Sequence, residues 1–63
     1  MIVVIRQGQN EKQINNLRNW IKSLGLEIHE SRGENSLILG LIGDTSKVDI
    51  DLIRSLDIVE SVM

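Results

Sequence analysis

Five apolar residues and one glycine stand in a row at positions 37–42, Leu-Ile-Leu-Gly-Leu-Ile, with no polar side chain among them. Successive side chains of a strand point to opposite faces, so as a strand this stretch is apolar on both. Positions 1–5, Met-Ile-Val-Val-Ile, are apolar in the same two-sided way. Strands of that kind need cover above and below. A chain of 63 residues makes one domain at most and buries only about 60% of its unfolded surface. The cover its own helices supply is therefore limited, and where that cover stops becomes the question.

The remaining pattern falls around these two strands. After a polar loop at 6–9, Asn10 reads as a helix N-cap, with Gln13 placed to complete a capping box. Ile14, Leu17, Ile21 and Leu24 recur at spacings of three and four, one helical stripe with Trp20 at its margin, and Gly25 stands where a helix ends. Positions 26–31 alternate: Leu26 and Ile28 share one face, Glu27, His29 and Ser31 the other, as in a half-exposed edge strand. Arg32-Gly33-Glu34-Asn35 reads as a hairpin turn in which Gly33 supplies a positive φ. After the 36–42 strand, Ser46 is placed to cap a second helix, with Asp49 and Asp51 near its positive end. Val48, Leu52, Ile53 and Leu56 form that helix's apolar side, and 57–63 is a last short strand.

The order strand, helix, strand, strand, helix, strand predicts an α+β fold. Two right-handed crossovers lay both helices on one face of a four-stranded antiparallel sheet. The first and third strands then lie in the middle, and these are the two that are apolar on both sides. There is no linker and no low-complexity run, so residues 1–63 read as a single unit.

Composition narrows the function classes. The net charge is −2 with both signs mixed, which favours neither nucleic acid nor an anionic membrane. Trp20 is the one aromatic residue, too few for a base-stacking platform. No apolar run approaches the roughly 20 residues of a spanning helix. The chain has no cysteine, and Met1 leads straight into a strand without a basic leader. The expectation is a cytoplasmic protein that is not tied to a membrane.

With the helices on one side, either Ile2 and Val4, or Met1, Val3 and Ile5, emerge on the other, joined by alternate members of 37–42. The expected interface set is Val3, Ile5, Leu37, Leu39 and Leu41. Several exposed side chains of this kind make a patch that usually marks an interface. Either a second copy packs sheet to sheet or another domain sits there; the plain alternative is a small domain with a naturally apolar sheet.

Little else suggests chemistry. His29 is the only histidine, and a metal site would want about four ligands, so no metal or cofactor is expected. His29 and Ser31 point the same way and together suit a neutral polar group such as a phenol. A catalytic role would need an orienting third group and an oxyanion hole, and spacing alone makes them two polar residues on a wet face. Gly40, inside a strand, either admits a ligand or partner backbone or makes room for a bulky neighbour such as Trp20. Gly8 is a single glycine and no phosphate-binding motif. The carboxylates Glu11, Glu27, Glu30, Glu34, Asp49, Asp51, Asp57 and Glu60 read as a solvated surface.

MIVVI at the start, Gly8 before the helix, LGLEIHESRGENSLILGLIGD in the middle and LDIVESVM at the end resemble one family region across essentially all 63 residues. It is the N-terminal ferredoxin-like, ACT-like regulatory domain of one class of DAHP synthase. His-x-Ser-x-Gly at 29–33, running on to Gly-Leu-Ile-Gly-Asp at 40–44, is its most specific part. The resemblance implies a ferredoxin-like βαββαβ fold and a place ahead of a metal-dependent catalytic TIM barrel that condenses phosphoenolpyruvate with erythrose 4-phosphate. It also implies feedback inhibition by an aromatic amino acid, tyrosine or phenylalanine, bound where two such domains meet. By position, His29 and Ser31 match the pair expected at the inhibitor's ring hydroxyl, with Gly40 beside them. Gln7 departs from the family's usual proline, and Asn35-Ser36 from Arg-Thr. The barrel's metal ligands and phosphate-binding residues have no counterpart in these 63 residues, so no synthase activity is expected of them alone. The alternatives are a stand-alone interaction domain that docks a barrel through its open face without a ligand, and a small acylphosphatase-like enzyme built on Arg6 and Asn10.

Overall fold

The chain runs β1 (Ile2–Ile5), α1 (Glu11–Ser23), β2 (Glu27–Arg32), β3 (Leu37–Ile42), a 3-10 turn at Thr45–Lys47, α2 (Ile50–Ser55) and β4 (Val59–Val62). These elements come from a computed structural model that describes residues 1–34 and 36–63. All strand pairs are antiparallel and the sheet order is β2-β3-β1-β4, so the two strands that are apolar on both faces take the centre, as predicted. β1 and β3 match Val3 to Leu39 and Ile5 to Leu37. Ile14, Leu17 and Ile21 of α1 and Ile53 of α2 close on Val3, Ile5, Leu37, Leu39 and Leu41 in one buried cluster. Both helices therefore cover the same face.

Helix α1 starts where the sequence places it. The Asn10 side chain accepts the Lys12 N–H at 2.7 Å, and Glu11 sits in the first turn, where a negative charge is favoured. It ends at Gly25, whose φ of 85° and N–H to the Lys22 carbonyl (3.0 Å) turn the chain into β2. Leu24, expected on the buried stripe, is exposed because the helix stops a residue before it. The turn after β2 is closed by the Gly33 N–H donating to the Ser36 carbonyl at 2.8 Å. Gly33 does not take the positive φ expected of it, and Asn35 lies outside the described residues.

The second helix begins later than expected. Asp44, not Ser46, caps the 3-10 turn, and Asp49 caps α2 by accepting the Leu52 N–H at 3.1 Å. The helix has six residues and buries only Ile53 fully; Leu52, expected on its apolar side, is exposed. Strand β4 slips register against β1 between Val4 and Ile5, so that Val62 lies opposite Val3 and Val59 opposite Ile5. The irregularity puts both valines on the helix side. Among the described residues no helix is long and apolar enough to cross a membrane.

Two exposed turns carry testable constraints. Gly43 has a φ of 129°, and a Cβ there would stand 3.0 Å from Leu26 Cδ2. Gly43→Ala should therefore destabilise the domain by about 1–3 kcal/mol, read from its urea midpoint. The Ser46 hydroxyl (2.6 Å) and N–H (3.0 Å) both donate to Asp44, holding its carboxyl below the usual carboxylate range. A depressed carboxyl favours the folded state above its unfolded pKa and loses that contribution as pH falls. Stability should drop on acidification below about pH 4, and Asp44→Asn should flatten that part of the profile.

Candidate functional site

The face of the sheet away from the helices is built in three rows. Ser31, Ile38, Val4 and Ser61 lie side by side across all four strands. His29, Gly40 and Ile2 form the next row, and Glu27 and Ile42 the last. Ile2 and Ile42 are 41% and 49% exposed. Val4 is only 8% exposed, yet it stands apart from the helix-side cluster; Ile38 and Ser61 flank it on the open side.

This parity corrects the expected interface set. Val3, Ile5, Leu37, Leu39 and Leu41 are 0–6% exposed and lie beneath the helices. The side chains on the open face are the alternate ones, Ile2, Val4, Ile38 and Ile42, with Val4 nearly enclosed by its neighbours. The physical reason is the exact period of two along a strand. Ile28 of β2 packs against the helix-side cluster and is registered with Leu41, which forces the odd-numbered residues of β3 inward. Gly40 belongs to the other set, which has less hydrocarbon to bury. Those two residues carried the signal that β1 lacks.

His29 and Ser31 stand on the open face, both exposed, on an edge strand and two residues apart. Gly40 is directly opposite His29, so the expected trio is brought together. A Cβ built on Gly40 would meet the His29 carbonyl oxygen at 3.4 Å and the His29 Cβ at 3.6 Å, close to ordinary contact, and its φ is not positive. The fold does not itself demand glycine here. Trp20 is not the neighbour it makes room for. That ring lines a groove of 430 Å³ between the helices with Leu17, Leu52, Leu56 and Ile58. The bare backbone at Gly40 therefore lies beside an imidazole and a hydroxyl, with Ile2, Ile38 and Ile42 around it.

The other expected chemistry is taken up structurally. Arg6 Nε donates to the Asp57 carbonyl at 3.0 Å, and Asn10 caps α1, so neither is poised as in an acylphosphatase. Among the described residues no three His, Cys, Asp or Glu side chains gather to hold a metal ion. Glu11 and Glu30, read as solvated, are in fact ion-paired with Arg18 and Arg32. That arrangement was invisible in sequence because its members come from different elements.

A four-stranded sheet in the order β2-β3-β1-β4, with two helices on one face, defines the ferredoxin-like class. Within that class the whole chain, residues 1–63, matches the family described as the DAHP synthase ferredoxin-like domain, and the chain belongs to that family. It is 40% identical over 63 residues to a phospho-2-dehydro-3-deoxyheptonate aldolase of Thermotoga maritima, in a match that takes in 100% of this chain and 19% of that protein. The crystal structure of the DAHP synthase from Thermotoga maritima superposes with a TM-score of 0.82 at 38% identity, covering 95% of this chain and 18% of that one. The chain thus spans about a fifth of the length of the relatives it matches.

The assignment of faces makes a sharp contrast. Leu39→Ala should cost about 2–5 kcal/mol, a large part of the roughly 3–9 kcal/mol available to a domain this size. Ile42→Ala should cost under about 1 kcal/mol. Equal losses in denaturant melts would show that the faces are assigned wrongly.

Proposed function

We propose that this domain is the regulatory module of a DAHP synthase. It binds an aromatic amino acid, tyrosine or phenylalanine, between the open faces of two copies, and so mediates feedback inhibition. The observation that carries this reading is the trio on the open face: His29 and Ser31 flank a strand position that Gly40 leaves bare, with no positive φ to call for glycine and 3.4 Å to the His29 carbonyl for an added Cβ. In this reading the imidazole and hydroxyl meet the ring hydroxyl of tyrosine, the ring lies over Gly40, and Ile2, Ile38 and Ile42 are covered by the second copy. The condensation of phosphoenolpyruvate with erythrose 4-phosphate belongs to a catalytic barrel, and this domain contributes no catalytic residue to it.

A second reading is favoured by the exposure of Ile2 and Ile42, which lie beside the trio and are simply apolar. Here the face docks the barrel without any ligand. Titration with tyrosine and phenylalanine, following thermal midpoint and sedimentation together, separates the two. The first reading expects dimers and a midpoint rise of about 10 °C or more at a hundredfold excess over Kd. His29→Ala should weaken tyrosine more than phenylalanine. Gly40→Ala should leave the unliganded midpoint unchanged or slightly raised and abolish the response. A folded domain that ignores both amino acids overturns the effector reading, and sedimentation of that domain with a separately made catalytic barrel then decides docking: a complex supports it, and two independent species overturn it.

A further inference from the structure

Strand β2, which carries His29 and Ser31, is poorly anchored by hydrocarbon. It is an edge strand, bonded to β3 alone among the described strands, and Ile28 is its one partly buried apolar side chain. On its helix side the next two positions, Glu30 and Arg32, are charged where apolar residues would normally meet a helix. They meet charges in turn. Arg18 Nε and Nη2 both reach Glu30 Oε1 at 2.6 Å, and Arg18 Nη1 lies 3.7 Å from Glu11 Oε2. Arg32 Nη2 reaches Glu11 Oε1 at 3.0 Å, and its Nε lies 3.7 Å from Glu30 Oε2. The four side chains close a ring of alternating sign, two from α1 and two from β2.

The members are not equivalent. The Arg18 and Glu30 side chains are 16% and 32% exposed, against 59% for Glu11 and Arg32. The inner pair is shielded from salt, while the outer contacts are of the weak surface kind. Arg18 is also held by the Asn15 side chain, one turn back on the same helix. A shielded ion pair often adds no more to stability than hydrocarbon would, while two guanidinium N–H bonds to one carboxylate add geometric specificity. Glu30 lies between His29 and Ser31 in the chain, and neighbouring side chains in a strand leave on opposite faces. Whatever fixes Glu30 from behind fixes the aim of His29 and Ser31 in front.

We infer that the shielded Arg18–Glu30 pair, the inner half of this ring, sets the position of β2 against α1, so that His29 and Ser31 are held for a two-point contact with a ligand hydroxyl. Arg18 and Glu30 are the positioning residues. The inference rests on the effector reading for the ligand, but its first half concerns the strand alone. A two-point polar contact tolerates an error of only about 0.5 Å, which a loose edge strand does not hold.

Two readouts on the 63-residue chain test it: hydrogen exchange of the β2 amides against those of β1, and the tyrosine-to-phenylalanine affinity ratio. Arg18→Met should speed exchange in β2 by about tenfold, the equivalent of one lost charge-assisted hydrogen bond, with β1 unchanged. It should lower the ratio by reducing tyrosine binding while phenylalanine binding stays. The exchanged pair Arg18→Glu with Glu30→Arg should recover part of both, and Arg32→Met should move neither by more than about twofold. Should Arg18→Met fail to fold, Arg18→Lys, which keeps the charge and loses the planar fork, carries the same two expectations at smaller size. Exchange rising equally in β1 and β2, or an unchanged ratio in a wild type that binds tyrosine, overturns the inference. A wild type that binds neither amino acid overturns the effector reading instead, and the exchange comparison then decides the positioning role by itself.

Discussion

The structure depends on a mismatch between a sheet whose two middle strands are hydrocarbon on both sides and two helices that cover one of those sides. Val3, Ile5 and Leu39 are fully buried beneath α1 and α2, and they hold the two helices to the sheet. Their neighbours Ile2, Val4, Ile38 and Ile42 alternate with them by geometry, so none can follow them under the helices. Val4 is nearly enclosed by the sheet itself, whereas Ile2 and Ile42 remain open. The same constraint that makes the core also makes the face opposite it.

Element order and sheet order were legible because each has a local cause. Asn10 and Gly25 bracket α1, the Ile14-Leu17-Ile21 spacing gives it one buried side, and the two-sided apolar runs belong in the centre of a split sheet. The boundaries of α2 were less legible. Asp44, Ser46 and Asp49 are all competent N-caps within six residues, and only the packed chain shows that Asp44 and Asp49 divide the work.

The faces were harder to read than the elements. Every residue of 2–5 is apolar, so β1 contains nothing that tells one side from the other. The deciding residues are Ile28 and Gly40, and they decide only once the registers Ile28 to Leu41 and His29 to Gly40 are known. His29, Ser31 and Gly40 share one face, and by the period of two along β3 Leu39 and Leu41 then belong to the other. The ion-pair ring was out of reach for a similar reason. Glu11 and Arg32 lie 21 residues apart, and only the fold joins them.

The irregular register of β4 has a bearing on how copies of this chain can meet. A free strand edge invites lateral pairing into extended polymers. One margin of this sheet is a four-residue strand whose ladder is interrupted, and the other is the charge-studded β2. The first is too short and broken a ladder for a newcomer, and the second sets charged side chains along its regular six-residue ladder. Sideways self-assembly is thereby discouraged at both margins, and any contact between copies is left to the open face of the sheet.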